Sequence, residues 1–276
     1  MIRIVAATEV GGAHRLESLA LRVFGTGDRP EGWWARKLAT ARVDDALSRV
    51  AIADHGDPRS PRSWRGYVLV GMPQDSAPFV RTAGVGVVAD ARGQRVATRL
   101  LDAVVAAALA AGHRGVDVLA EPRLGRWYAA RGFAAVREHW TLRTHGRGDA
   151  APELGAIATD PPHDPDATMI VTGTAAVWST AVDRRVLDDP YAGHVWLSRV
   201  GPRTRAWIVH GWIRRPHVAA AVAASGLRDR IPAGDALLVP LAPAVSWITA
   251  NLVPHPLRVA ERAWLVRRTT PAPTGH

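Results

Sequence analysis

The stretch VGVVADARGQRVATRLLDAVVAAALAAGHRGVDVLAEPRLGRWYAARGF, residues 85–133, opens on the end of an apolar strand expected over residues 82–88. It passes through a loop holding Arg92 and Gly93 and continues as an amphipathic helix, expected over residues 96–111. A strand of buried type follows at residues 115–120, then a short helix at residues 124–130 and a last extended segment at residues 134–143. A loop that leaves a strand and opens a helix gathers backbone N–H groups that have no acceptor within the helix. The positive end of the helix dipole lies at the same place, so such a turn suits a phosphate or pyrophosphate. Gly93 permits close backbone approach, and Arg92, Arg95 and Arg99 surround the position with charge.

Upstream, residues 16–24 and 31–40 carry helical patterns, and residues 49–53 and 65–70 read as strands joined by the turn GDPRSPRS at residues 56–63. Downstream, residues 144–167 are rich in Gly, Pro, Asp and Ala and read as a boundary. The second half then repeats the order of the first. Tyr67 to Gly71 is echoed by His194 to Gly201, residues 80–88 by residues 205–212, and the helix end AAALAAG (106–112) by AAVAASG (220–226). Residues 115–133 find their counterpart in residues 234–252, where, with a one-residue gap, Trp127 falls on Trp247 and Tyr128 on Ile248. The same elements in the same order argue for a diverged duplication. Residues 1–148 form one expected domain, residues 149–167 a linker, and residues 168–276 a second domain.

The chain has 276 residues, is 47% hydrophobic and contains no cysteine, which excludes disulfides, thiolate metal sites and cysteine nucleophiles. Its formal charge of +10 comes from 34 arginines and one lysine, Lys37, against 25 acidic residues. Arginine used almost to the exclusion of lysine, beside abundant alanine, reads as compositional bias. Yet residues 1–148 hold 22 basic and 14 acidic residues, net +8, whereas residues 149–276 net only +2. That asymmetry points to an anion bound in the first half. The N-terminal MIRIVAATEVGGAHRLESL carries Glu9 and Glu17 with no long apolar core, so no signal peptide is expected. No apolar run reaches the roughly 20 residues of a membrane span. The expected location is the cytoplasm.

The pairing of the Arg92 loop with WYAARGF after the next strand resembles the GNAT N-acetyltransferase superfamily. Its phosphate loop has the form [QR]-x-x-G-x-[GA], which Arg92-Gly93-Gln94-Arg95-Val96-Ala97 matches at its ends, with Arg95 in place of the inner glycine. The later signature appears as Trp127-Tyr128 and Gly132-Phe133. The resemblance covers residues 1–145 and is strongest over residues 82–136. It implies a mixed, mostly antiparallel α/β (α+β) sheet with a splayed central cleft, here duplicated. It also implies acetyl-CoA as acyl donor, its pantetheine paired with the backbone of Val85, Gly86 and Val87 and its pyrophosphate on Arg92, Gly93, Gln94, Arg95, Val96, Ala97 and Thr98. A primary amine of a small molecule or peptide would attack the thioester directly, with no metal. By the same resemblance Tyr128 is the acid that protonates the departing sulfur. Glu121 is the nearest candidate base, though a surface glutamate at a strand end is the simpler reading.

The second copy lacks this equipment: its loop reads GWIRRPHV, with Pro216 removing a donor and Ile248 unable to give a proton. His210, His217 and His255 lack metal-ligand spacing. A noncatalytic acyl-CoA-binding or interaction module on the same fold is the competing reading. Nucleic acid, suggested by the net charge alone, has no recognition motif behind it. The expected assembly is a monomer or homodimer.

Overall fold

A short run of apolar residues, Val50 to Ala53, makes the segment RVAIA a strand of buried type, β2 (Arg49–Ala53), which the sequence pattern predicts to the residue. It lies beside β1 (Ile2–Ala6), antiparallel from Ile2 opposite Ala53 to Ala6 opposite Arg49. β1 is an element that the sequence reading does not assign: it has only five residues, with Arg3 among them, and its pattern shows only beside its partner. β3 (Trp64–Gly71), buried along nearly its whole length, pairs antiparallel with β2 on one edge and with β4 (Phe79–Val87) on the other. The structure is a computed structural model and describes residues 2–25, 29, 32–71, 78–148, 168–170, 179–183, 188–189, 193–200, 206–213, 231–241 and 258–270.

Two short helices, α1 (Glu17–Phe24) and α2 (Trp33–Thr40), connect β1 to β2, and α3 (Val96–Ala110) connects β4 to β5 (Gly115–Ala120). α3 buries Val96, Leu100, Leu101, Val104, Val105 and Ala108, one stripe at helical spacing. At about 2 kcal/mol for each of the aliphatic side chains larger than alanine, that stripe stabilises the helix far more than its own propensity does. It packs on the sheet face where Leu100 approaches Gly66. The opposite face of β3 and β4 is met by Val23 and Phe24 of α1 and by Lys37 of α2, all beside Gly84 or Gly86. α4 (Gly125–Ala129) follows β5 and leads to β6 (Ala134–His145).

The chain sorts into two units. The first holds residues 1–27, 34–136 and 264–276, and the second residues 28–33 and 137–263. The first is therefore not complete at residue 148. The last strand, β13 (Arg258–Arg268), returns its residues Trp264 to Arg268 to the outer edge of β5, antiparallel from Trp264 opposite Ala120 to Arg268 opposite Val116. A boundary loop and a repeat mark where sequence character changes; they do not show which strand closes which sheet.

Within the second unit are β7 (Thr168–Ile170), β8 (Ser179–Asp183), β9 (Asp188–Asp189), β10 (Gly193–Val200), β11 (Ala206–Ile213) and β12 (Ala236–Leu241). β10 pairs antiparallel with β11, and β11 runs parallel to β12 from Ala206 opposite Ala236 to Ile208 opposite Leu238. The other edge of β12 takes β6, from Ala236 opposite His145 to Leu241 opposite Trp140. The expected linker (149–167), the helix end at residues 220–226, Pro216, His217, Ile248 and His255 lie outside the described residues.

Candidate active site

β4 and β5 run parallel and pair only at Phe79–Gly115, Val80–Val116 and Arg81–Asp117. Beyond these pairs they part, which is the splayed cleft that the sequence reading implies. The local cause sits in β4. Against β3, Leu69 faces Gly84 whereas Val70 faces Thr82, so Ala83 is an extra residue that bends the strand and increases its twist. Val85, Gly86 and Val87 keep β3 partners in Val68, Tyr67 and Gly66. Among the described residues no strand pairs with their other edge, which leaves backbone donors and acceptors for an extended ligand.

The loop after β4 folds back on itself. Arg92 Nε donates to the Val87 carbonyl at 3.2 Å, and Gln94 Nε2 donates to the Asp90 carbonyl at 3.0 Å. Gly93 has φ 79°, a conformation natural to glycine. Arg95, the helix N-cap, has φ 58° and ψ 19°. The inner-glycine position of the motif thus keeps the left-handed backbone that favours glycine, with an arginine bearing the strain. The substitution alters the side chain there and leaves the turn. The Arg99 N–H bonds to the Arg95 carbonyl, and the N–H groups of Val96, Ala97 and Thr98 before it have no acceptor in the helix. Arg92, Gly93, Gln94 and Arg95 are exposed, and Val96 is buried as the first residue of the α3 stripe.

Tyr128 on α4 is 5% exposed. Its ring meets Trp127 edge to face at 4.9 Å between centroids and Phe133 at 5.4 Å. Burial, with a further contribution from the Glu121 charge, pushes its phenol up to about 12. The group therefore stays protonated throughout the neutral range, as a proton donor must. Glu121 itself is exposed and pairs with Arg123 at 2.5 Å, a surface ion pair that gives it no base-like setting.

Arg131, within the quoted signature but unremarked by the sequence reading, joins these parts. Its Nε donates to Thr98 Oγ1 at 2.8 Å, its Nη1 donates to the Trp127 carbonyl at 2.7 Å, and its guanidinium lies 3.7 Å from the Trp127 ring centre. The first turn of α3 and the aromatic segment are thereby held together. Partial burial lowers the Arg131 pKa from its ordinary value, and nearby Arg95 adds to that while Asp102 opposes it. Two cations share this corner with one carboxylate, which leaves it electropositive. On the face opposite α3, the buried Lys37 and Tyr67 lie beside Gly84. A shallow open depression of about 540 Å³ over the turn between β2 and β3, lined by Asp54, His55, Arg62 and Arg65 among others, includes none of the sequence-predicted residues. Among the described residues no group of three His, Asp or Glu side chains converges on a metal position, and no helix is long and apolar enough to cross a membrane.

No family model matches the chain, and no curated sequence matches it. Solved structures do resemble it. A GCN5-related N-acetyltransferase from Anabaena variabilis superposes with a TM-score of 0.55 at 12% identity, over 98% of this chain and 73% of that one. A GCN5-related N-acetyltransferase from Kribbella flavida gives 0.51 at 15% identity, over 98% and 72%. At such identities the likeness establishes the fold: this chain has the mixed, mostly antiparallel GNAT architecture.

Proposed function

We propose that this GNAT-fold chain is an acetyl-CoA-dependent N-acetyltransferase that acts on a primary amine of a small molecule or peptide. The observation that carries the reading is that one unit holds the parted β4 and β5 strands, the left-handed Gly93–Arg95 turn and, tied to the first turn of α3 through Arg131, the segment that bears the protonated Tyr128. In this reading the pantetheine amides pair with Val85, Gly86 and Val87. The pyrophosphate rests on the loop and first helical turn, Arg92, Gly93, Gln94, Arg95, Val96, Ala97 and Thr98. Both contacts are supported by the unpaired strand edge and the acceptor-free N–H groups described above.

The chemistry follows from the groups brought together. The amine nitrogen attacks the thioester carbonyl to form the C–N bond, the C–S bond breaks, and the sulfur takes the Tyr128 proton; the proton shed by the nitrogen as the amide forms passes to water, and water returns one to Tyr128. An alkyl amine with a pKa of about 10 must first lose a proton, and a thiol of about 8.5 leaves more readily when protonated. Alignment of the two reactants in the cleft supplies much of the rate. No covalent enzyme intermediate is needed, and the absence of cysteine from the chain is consistent with direct attack.

The second unit reads as a diverged copy of the first. In both, an antiparallel pair leads to a parallel pair, β3–β4–β5 and β10–β11–β12, and sequence alignment of the copies puts Arg81–Asp117 and Ala206–Ala236 at the same step of the parallel ladder. Its loop sequence, GWIRRPHV, has a proline and no glycine at the turn, so the donor site is assigned to the first unit. Free acetyl-CoA and a cysteine-free chain are both at home in the cytoplasm. Titration calorimetry with acetyl-CoA tests the donor assignment: binding that weakens markedly in Arg92→Ala and little in Arg214→Ala, the first arginine of the second copy's loop GWIRRPHV, supports it, and equal losses overturn it.

A further inference from the structure

Arg268 lies in the last strand of the chain, yet it is 1% exposed and faces the α3 side of the first unit. Its Nη1 donates to Asp102 Oδ1 on α3 at 2.7 Å and its Nε donates to the Thr270 carbonyl at 3.0 Å. Its guanidinium is 5.8 Å from the Phe133 ring centre, and a side chain at Gly132 would begin within 3.8 Å of Arg268 Nε and Cδ. The Gly132-Phe133 pair therefore packs directly on this arginine. Phe133 in turn meets the Tyr128 ring at 5.4 Å.

Asp102 stands four residues after Thr98, on the same face of α3. One turn of that face thus receives two guanidinium groups, Arg131 at Thr98 and Arg268 at Asp102. Both come from residues that flank or support the aromatic segment. Arg268 Nη2 is buried and has no hydrogen-bond partner. A buried guanidinium with an unsatisfied donor and a partly exposed partner is a poor source of stability, and an apolar side chain of similar volume would do as well or better. What the arginine adds is direction: two fixed donors between a helix and a strand end, under an aromatic ring.

We infer that Arg268 is a positioning residue for Tyr128, acting through Phe133 and α3, so that the last strand of the chain sets the placement of the proton donor. The inference rests on the transferase reading. It assigns to Arg268 a role in turnover beyond its role in folding.

The test is a kinetic double-mutant cycle on the full chain, with acetyl-CoA and an amine that the wild type acetylates. Arg268→Met is expected to lower kcat at least tenfold while the KM for acetyl-CoA stays within twofold. Arg268→Lys, which keeps one donor, is expected to recover part of the loss. Arg268→Met/Tyr128→Phe is expected to be no slower than Tyr128→Phe alone, because the arginine has nothing left to position. Losses that multiply in the double variant overturn the inference, as does a variant that melts earlier but turns over at the wild-type rate per folded molecule. If Arg268→Met fails to fold, Asp102→Asn removes the ion pair from a side chain that is 34% exposed and must show the same non-additivity with Tyr128→Phe. A wild type that binds acetyl-CoA and releases no thiol with any amine defeats the transferase reading and this inference with it. Multiplying losses in an active enzyme defeat the inference alone.

Discussion

Arg267 grips Asp117 across 150 residues of sequence: its Nε donates to Oδ1 at 2.7 Å, its Nη2 donates to Oδ2 at 2.9 Å, and its guanidinium lies 3.5 Å from the Phe79 ring centre. Asp117 is also the last residue of β5 that pairs with β4. The two-pronged contact thus pins the point from which the cleft opens. The Asp117 side chain is 7% exposed, so removal of its partner leaves a buried carboxylate uncompensated. Arg267→Ala is expected to lower stability by roughly 2–4 kcal/mol in urea unfolding, with Arg267→Lys losing less. A loss below about 0.5 kcal/mol would mean that water already compensates Asp117.

A chain that ends at residue 257 lacks the whole of β13, so β5 loses its outer ladder from Val116 to Ala120 and both Asp102 and Asp117 lose their arginines. The same is true of a fragment that ends at residue 148. Neither piece is expected to give a cooperative thermal transition by circular dichroism, whereas the full chain does. A fragment 1–148 that melts cooperatively and binds acetyl-CoA would refute the view that β13 completes the first unit.

The turn before α3 separates backbone from side-chain effects. A side chain added at Gly93 meets nothing within 4 Å, so Gly93→Ala costs stability only through its φ of 79°, about 1 kcal/mol. At Arg95 the sign reverses: glycine relieves the left-handed strain, and Arg95→Gly is expected to hold or raise stability by up to about 1 kcal/mol. Acetyl-CoA affinity, measured by calorimetry, is expected to fall in Arg95→Gly because a guanidinium is lost. Unchanged affinity would remove Arg95 from the anion site.

The Tyr128 phenol gives the protein a defined alkaline signature. Its pKa rises from 10.0 to about 12 on folding, so the fold favours the neutral form. Its contribution to stability is complete below pH 10, where the unfolded chain keeps the proton too. It declines as pH rises from 10 toward 12, because only the unfolded chain then ionises. Between those limits wild type is expected to lose on the order of 2 kcal/mol more than Tyr128→Phe. Parallel stability curves for the two proteins would show that the phenol is not buried in solution.

Much of the first unit is legible in its sequence. β2 and β5 fall on the expected residues, α3 ends one residue early, and α4 lies inside the expected helix, because the strands are short apolar runs with clear stops and α3 carries an unbroken helical stripe. The loop and Tyr128 were legible as a spaced motif. β1 was not, since five residues with a charge among them carry too little pattern. Asp102–Arg268 and Asp117–Arg267 were beyond reach for another reason. They join residues more than a hundred positions apart, and single-sequence periodicity carries no information on which distant strand closes a sheet. Arg131 was within reach: it lies inside the aromatic signature, and its role emerges once Thr98 is seen to face it.

The central claim is that Tyr128 completes an acyl transfer from CoA to an amine. It is tested most directly by spectrophotometric thiol release from acetyl-CoA over a panel of primary amines, with the acetylated product weighed by mass spectrometry. The expected result is equal thiol and acetylated amine from wild type, and a roughly hundredfold lower kcat in Tyr128→Phe at nearly unchanged acetyl-CoA affinity. Wild-type turnover in Tyr128→Phe would contradict the account.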